Sequence, residues 1–244
     1  MKIFEISHEY CKRFYKPVVL GAVSLVIVLY ACFIFNAIFQ SFLYSFQNAI
    51  PVATVERAWP CDHVECFKVG KPVALVLSGI SPSLLSDIKE AYAREPFEQL
   101  CFISPGGNEN SAVDIGRWMR RNGVASCLAE QYRLLPSKTT SLGNKLIKPL
   151  CASVCPFVIA MAPVRFAYGD DLNVHVHRPG SFIDVCLCEI SLERSEYKEA
   201  LKENLLDPGH LDLVALAESH PHKGPMLPVP FVDLKTYNLF THYR

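Results

Sequence analysis

The sequence predicts an α/β domain with largely parallel strands, set behind a single transmembrane helix. Three observations carry this. From residue 17 to residue 55 there is no Lys, Arg, Asp or Glu. Beyond it, short apolar runs alternate with stretches of helical periodicity as far as about residue 218, the pattern that interleaves helices with a parallel sheet. Gly and Pro stand at the junctions, as at Gly79, Pro82, Gly123 and Pro156, where they separate elements without interrupting them.

Within the uncharged stretch, residues 18–39 are almost continuously apolar. At ~1.5 Å per residue such a helix reaches across a ~30 Å hydrocarbon core. A cleaved signal peptide needs a shorter apolar region, about 7–15 residues, ended by a small-residue cleavage site, and no such site follows here. Lys2, Lys12, Arg13 and Lys16 precede the helix, and Arg57 is the first basic residue after it. The positive-inside rule therefore places the N-terminus in the cytoplasm and everything after about Tyr44 across the membrane. The expected organisation is a cytoplasmic N-terminus (1–17), a transmembrane helix (18–44), a stalk (45–72), an α/β domain (73–220) and a Pro-rich tail (221–244). The stalk reading rests on Pro51, Pro60 and Gly70 in a stretch without sustained period of either kind.

Inside the domain, residues 73–80 form a short, partly β-branched apolar run ended near Gly79, which suits a buried strand. Residues 83–94 carry Leu84, Leu85, Ile88, Ala91 and Tyr92 at helical spacing after a Ser81-Pro82 start signal. A strand at 99–103, a helix at 112–121 closed by Asn122-Gly123, and a strand at 124–128 follow. Residues 129–149 read as a long polar connection with Arg133, Lys138, Lys145 and Lys148. A helix after Ser153, strands at 164–168 and 173–177, and helices at 192–205 and 211–218 complete the set. There is no internal repeat and no low-complexity segment.

The 24 basic and 24 acidic side chains balance, and no basic stripe appears, so nucleic-acid binding is not expected. Ten cysteines are many for a reducing cytosol. No pair of CxxC elements exists for a structural zinc site. Cys61 and Cys66 would close a small loop if bridged; two free thiols are the other reading. Cys151 and Cys155 are bridgeable where their Cα atoms lie within ~7 Å, which one helical turn allows. In an oxidising compartment that bridge would lock the turn around Ser153, and loss of activity on reduction would be its sign.

Three stretches hold residues suited to chemistry. Cys151-Ala152-Ser153-Val154-Cys155-Pro156 places a serine at a strand-to-helix junction, with Pro156 in the first turn. There it would meet backbone N–H groups that lack intrahelical partners, which serves a nucleophile and a plain N-cap equally. Ser104-Pro105-Gly106-Gly107 offers backbone donors for an oxyanion, or simply a tight turn. His175 and His177 share one face of a strand. One of them as a general base competes with a solvent-facing strand end; a metal site would need a third ligand that has no recognisable spacing here.

Ile103-Ser104-Pro105-Gly106-Gly107, then Cys151-Ala152-Ser153-Val154-Cys155, then Arg165, then Val176-His177-Arg178-Pro179 carry a resemblance. With these motifs residues 73–218, about 60% of the chain, resemble the Clp-type peptidase branch of the ClpP/crotonase superfamily. More narrowly, the chain resembles membrane-attached or periplasmic Clp-like proteins of bacteria with a serine between two cysteines. The resemblance implies a ββα spiral fold and cofactor-free serine hydrolysis of a peptide or protein substrate. It implies a bacterial inner-membrane protein with a periplasmic domain, and it permits a homo-oligomer. Carried over by position, Ser153 is the nucleophile, His177 its base, and the N–H groups of Gly107 and Val154 the oxyanion hole. The acid should follow the post-histidine helix; Glu218 falls near there, with Asp212 one and a half turns earlier, and neither matches a motif. The segment between Gly107 and Ser153 is also longer than in Clp peptidases. A catalytically inactive Clp-like scaffold is therefore the alternative from a different class. Acyl-CoA chemistry of the crotonase type leaves the Ser/His pair unexplained, and a Ser–Lys dyad through Lys138, Lys145 or Lys148 leaves the His177 motif unexplained.

Overall fold

The computed structural model describes residues 55–63, 65–67, 71–136, 145–177, 181–185, 188–192, 199, 203–205, 207–220 and 225–244. The helix expected at 18–44 lies outside them; no helix among the described residues is long and apolar enough to cross a membrane. The fold is mixed α/β, as the alternating pattern predicts. Its main sheet has eight strands: β1 (Val55–Cys61), β2 (Val73–Leu77), β3 (Gln99–Ile103), β4 (Ala125–Ala129), β5 (Gln131–Leu134), β6 (Leu146–Ile147), β8 (Arg165–Tyr168) and β13 (His242–Tyr243). They lie in the order β13-β8-β4-β3-β2-β1-β5-β6. β2, β3, β4, β8 and β13 are parallel, while β1, β5 and β6 pair antiparallel.

The order β2-β3-β4-β8 advances one way across the sheet. Right-handed crossovers then put every connecting helix on the same face. Strand alternation divides the core accordingly. Ala74, Val76, Leu100, Phe102 and Leu128 face the layer that holds Leu84, Ile88, Ile115, Met119 and Phe157. Val73, Leu75, Cys101, Cys127 and Tyr168 face the other side, packed with Tyr132 and Leu134. Helices among the described residues include α1 (Leu84–Arg94), α2 (Glu109–Asn122), α3 (Cys155–Ala160), α4 (Pro208–Ser219) and α5 (Phe231–Thr236). The start of α2 is capped by Asn108, whose side chain accepts from the Ser111 N–H at 2.9 Å, and its end by Gly123 at φ 64°, a left-handed turn that glycine makes without steric cost.

A second sheet is small: β7 (Cys151–Ala152) runs parallel to β9 (Val174–Val176), and β12 (Leu227–Pro228) closes its other edge antiparallel. β10 (Ser181–Val185) and β11 (Cys188–Leu192) form an antiparallel hairpin that is a separate unit. The helix expected at 192–205 falls largely outside the described residues, and Leu192 itself ends β11.

Three readings of the sequence are revised. Part of the expected stalk is β1, paired on both sides within the main sheet. Its inward residues include Glu56, Ala58 and Pro60, so no apolar alternation announces the strand. The Cys61–Cys66 disulfide closes the loop after it. Residues 129–149 contain β5 and β6, and the expected tail contributes β12, α5 and β13. Buried Arg165 ties that last segment down, donating to the carbonyls of Ala162, Asn238 and Leu239 at 3.0 Å each. His210, fully buried on α4, bonds through Nε2 to the Asn238 carbonyl at 3.0 Å. A carbonyl only accepts, so Nε2 carries the proton; Nδ1 is buried without a hydrogen-bond partner.

Candidate active site

The serine turn is built where three strands meet. The Cys151 N–H donates to the Asn173 carbonyl and the Ser153 N–H to the His175 carbonyl, both at 3.0 Å, so the ladder between β7 and β9 runs into the turn. On the other side, Ser104 leaves the end of β3 and bridges to Cys151. Its N–H donates to the Leu150 carbonyl at 2.8 Å, and its carbonyl accepts from Ala152 at 2.9 Å. The strand that leads to the Gly-Gly loop and the strand that leads to Ser153 are thereby laced together.

Ser153 itself has φ 60°, a left-handed conformation that a residue with a Cβ adopts at a cost of about 1–3 kcal/mol. Such strain persists only where the surroundings impose it. Of the two sequence readings of Ser153, nucleophile and helix cap, the cap is not what the backbone does. Val154 is the N-cap residue, without a side-chain cap bond, and α3 begins at Cys155 with Pro156 in its first turn. The serine instead stands on a sharp strand-to-helix turn, the placement that projects a hydroxyl out of a backbone corner.

The Gly-Gly loop is fitted against it. Gly106 has φ 106°, and a Cβ there would sit 2.8 Å from Ser153 Oγ, with Ser153 Cβ closer still. Gly107 has φ 141°, and a Cβ on it would run into the Ile80 backbone. The loop is pinned to Ile80, whose N–H donates to the Gly106 carbonyl at 2.8 Å and whose carbonyl accepts from Asn108 at 2.6 Å. Inside the loop, fully buried Ser104 Oγ accepts from the Gly106 N–H at 3.1 Å and lies 3.3 Å from the Gly106 carbonyl. The Gly106 donor is thus occupied. Neither the Gly107 nor the Val154 N–H has a backbone acceptor among the described residues.

His177 follows β9 directly and is half-buried. The carbonyl two residues before it receives the Ser153 amide, so the end of β9 runs beside the serine turn. His175, on the same strand face, pairs through Nε2 with Asn173 Oδ1 at 2.7 Å. Glu218 is half-buried in the last turn of α4, whereas Asp212 on the same helix is exposed. Lys145 and Lys148 are exposed, and Lys148 pairs with Asp171 at 3.3 Å; Lys138 lies outside the described residues. Of the five expected site residues, Ser153 and Val154 form the turn itself, Gly107 follows the Gly106 that packs on it, and His177 follows the adjoining strand β9. Ser104, named from the sequence only as the start of the Gly-Gly loop, holds that loop through its hydroxyl.

Two disulfides flank this machinery. One joins Cys151 to Cys155 across the serine turn, with Cα atoms 5.3 Å apart. The other joins Cys101 to Cys127, which face each other in register on β3 and β4. All four sulfur-bearing residues are fully buried.

No protein-family model matches the chain, and no curated protein sequence matches it. Among solved structures, the chain is similar to a serine-to-alanine mutant of the 1510-N membrane-bound stomatin-specific protease. The identity is 9% and the TM-score 0.43, covering 70% of this chain and 77% of that one. It is also similar to a lysine-to-alanine mutant of that protease in complex with a substrate peptide, at 13% identity and TM-score 0.41, covering 69% and 72%.

Proposed function

We propose that this chain is a membrane-anchored serine peptidase of the Clp-like type, with Ser153 as nucleophile and His177 as general base. The observation that carries the reading is the left-handed Ser153 on its strand-to-helix turn, packed against Gly106. In the reaction, Ser153 Oγ attacks the scissile carbonyl while the His177 imidazole takes its proton and later passes it to the leaving amine. Negative charge on the carbonyl oxygen is held by the N–H groups of Gly107 and Val154, fixed donors that need no reorganisation as the charge develops. Water then hydrolyses the acyl-enzyme. Glu218 is assigned as the acid that orients His177. The uncharged segment at 18–44 serves as the anchor, and the three disulfides among the described residues fit a domain on the oxidising, periplasmic side.

A fluorophosphonate probe tests this on the full chain purified in detergent. Covalent labelling that disappears in Ser153→Ala, and that slows strongly in His177→Ala, is expected. Equal labelling of wild type and Ser153→Ala would remove Ser153 from the chemistry. Absence of any labelling would favour the inactive-scaffold reading.

A further inference from the structure

We propose that the Cys151–Cys155 disulfide is a positioning clamp that holds Ser153 in its left-handed conformation, and with it the nucleophile's aim. The inference rests on the reading of Ser153 as nucleophile. Only Ala152, Ser153 and Val154 lie between the two cysteines, whose Cα atoms are 5.3 Å apart. A covalent ring that short leaves few combinations of backbone angles for the residues inside it. Its two ends are themselves fixed. Cys151 is bonded to Asn173 and bridged to Ser104, and Cys155 opens α3, whose six residues are all buried.

Without the ring, the turn has an alternative open to it. Ser153 at φ 60° is strained, and a serine preceding a helix has a favourable unstrained state as its N-cap, where its hydroxyl accepts from an N–H of the first turn. Relaxation to that state points Oγ at the helix, and it loosens the turn that the Ser153 N–H ties to the His175 carbonyl. The disulfide forbids the relaxation by spanning the one residue that would have to change. The Cys101–Cys127 bridge does not span Ser153 and provides an internal comparison: it links two strands already held in register by the sheet.

The test compares the full-length wild type with the paired variants Cys151→Ala/Cys155→Ala and Cys101→Ala/Cys127→Ala. Three quantities are read: the maximal rate of fluorophosphonate inactivation, the probe concentration for half that rate, and amide exchange of residues 151–158. For Cys151→Ala/Cys155→Ala the maximal inactivation rate is expected to fall by about 100-fold, the scale of an ångström's misplacement of a reacting group. The half-saturating concentration should stay within about twofold, because uniform binding is not what the clamp supplies. Exchange at the Ser153 amide should rise at least about tenfold as its bond to His175 loosens. The other paired variant should lower the melting temperature and leave all three quantities unchanged. An unchanged inactivation rate together with unchanged exchange at 151–158 would overturn the proposal. If the wild type shows no Ser153-dependent labelling, the peptidase reading fails separately, and exchange alone decides whether the clamp holds the turn. Should the double alanine variant fail to fold, Cys151→Ser/Cys155→Ser, which keeps the side-chain size and opens only this bridge, gives the same three readings.

Discussion

At the scale of single residues, the site depends on positions where a side chain has no room. Gly106→Ala would put a methyl group 2.8 Å from Ser153 Oγ, on a backbone at φ 106°. Either the loop or the serine must move, so fluorophosphonate labelling should fall by about 100-fold and stability by about 1–3 kcal/mol, read by urea denaturation. Ser104→Ala acts differently, since it frees the buried Gly106 N–H from its acceptor. The cost expected is about 1–3 kcal/mol for an unsatisfied buried donor, with Ser104→Thr closer to wild type if the hydroxyl alone matters. The Gly-Gly loop and the serine between cysteines, which the structure packs together, were legible in the sequence, as was the strand that receives the Ser153 amide. The conformation of Ser153 was not. A serine before Pro in a first helical turn looks like a cap because local propensity favours one; the left-handed turn is imposed by the ladder to His175, the packing of Gly106 and the disulfide, all contacts with residues distant in sequence or with a covalent partner.

At the scale of elements, the strands and helices from 73 to 129 were readable because each buries an apolar face of its own. Leu75 and Val76 lie inside on opposite faces of β2, and Ile115, Trp118 and Met119 line one side of α2. β1 hides a glutamate and a proline where alternation would demand aliphatics, and β6, β12 and β13 have two residues each. Such strands exist because neighbours supply their partners, and no period of their own records them. Arg165 is the fastening of the last of these. Replacing it by methionine would leave three carbonyls, of Ala162, Asn238 and Leu239, without their charged donor. The expected loss is about 1–3 kcal/mol, the cost of leaving a buried acceptor unsatisfied, seen in denaturant melts, with amide exchange at 239–244 rising before the rest of the domain opens. If residues 239–244 keep their protection in that variant, the guanidinium is not what anchors β13.

For the whole molecule, acid should act first through His210. Burial, and the positive charge of Arg165 nearby, lower its pKa from the ordinary histidine value, while the Asn238 carbonyl and Asp207 work the other way. The unfolded chain therefore takes up this proton more readily than the folded one. Stability is complete above the unfolded histidine value of about 6.5 and declines as pH falls from there through the lower folded pKa. Asp207, held below the ordinary carboxylate range chiefly by the Gly209 N–H and also by Asn238, adds a second loss at lower pH, as it protonates. Melting temperatures measured between pH 8 and pH 4.5 should drop in wild type and flatten in His210→Gln; parallel curves would exclude the histidine. The Cys101–Cys127 bridge has a further consequence at this scale. It closes the Gly-Gly loop, α2 and the start of β4 into one covalent ring. A backbone cut anywhere in that ring, whether by an added protease or by one copy acting on another, releases no fragment. Such a nicked chain would migrate as a single band on a non-reducing gel and part into two only after reduction.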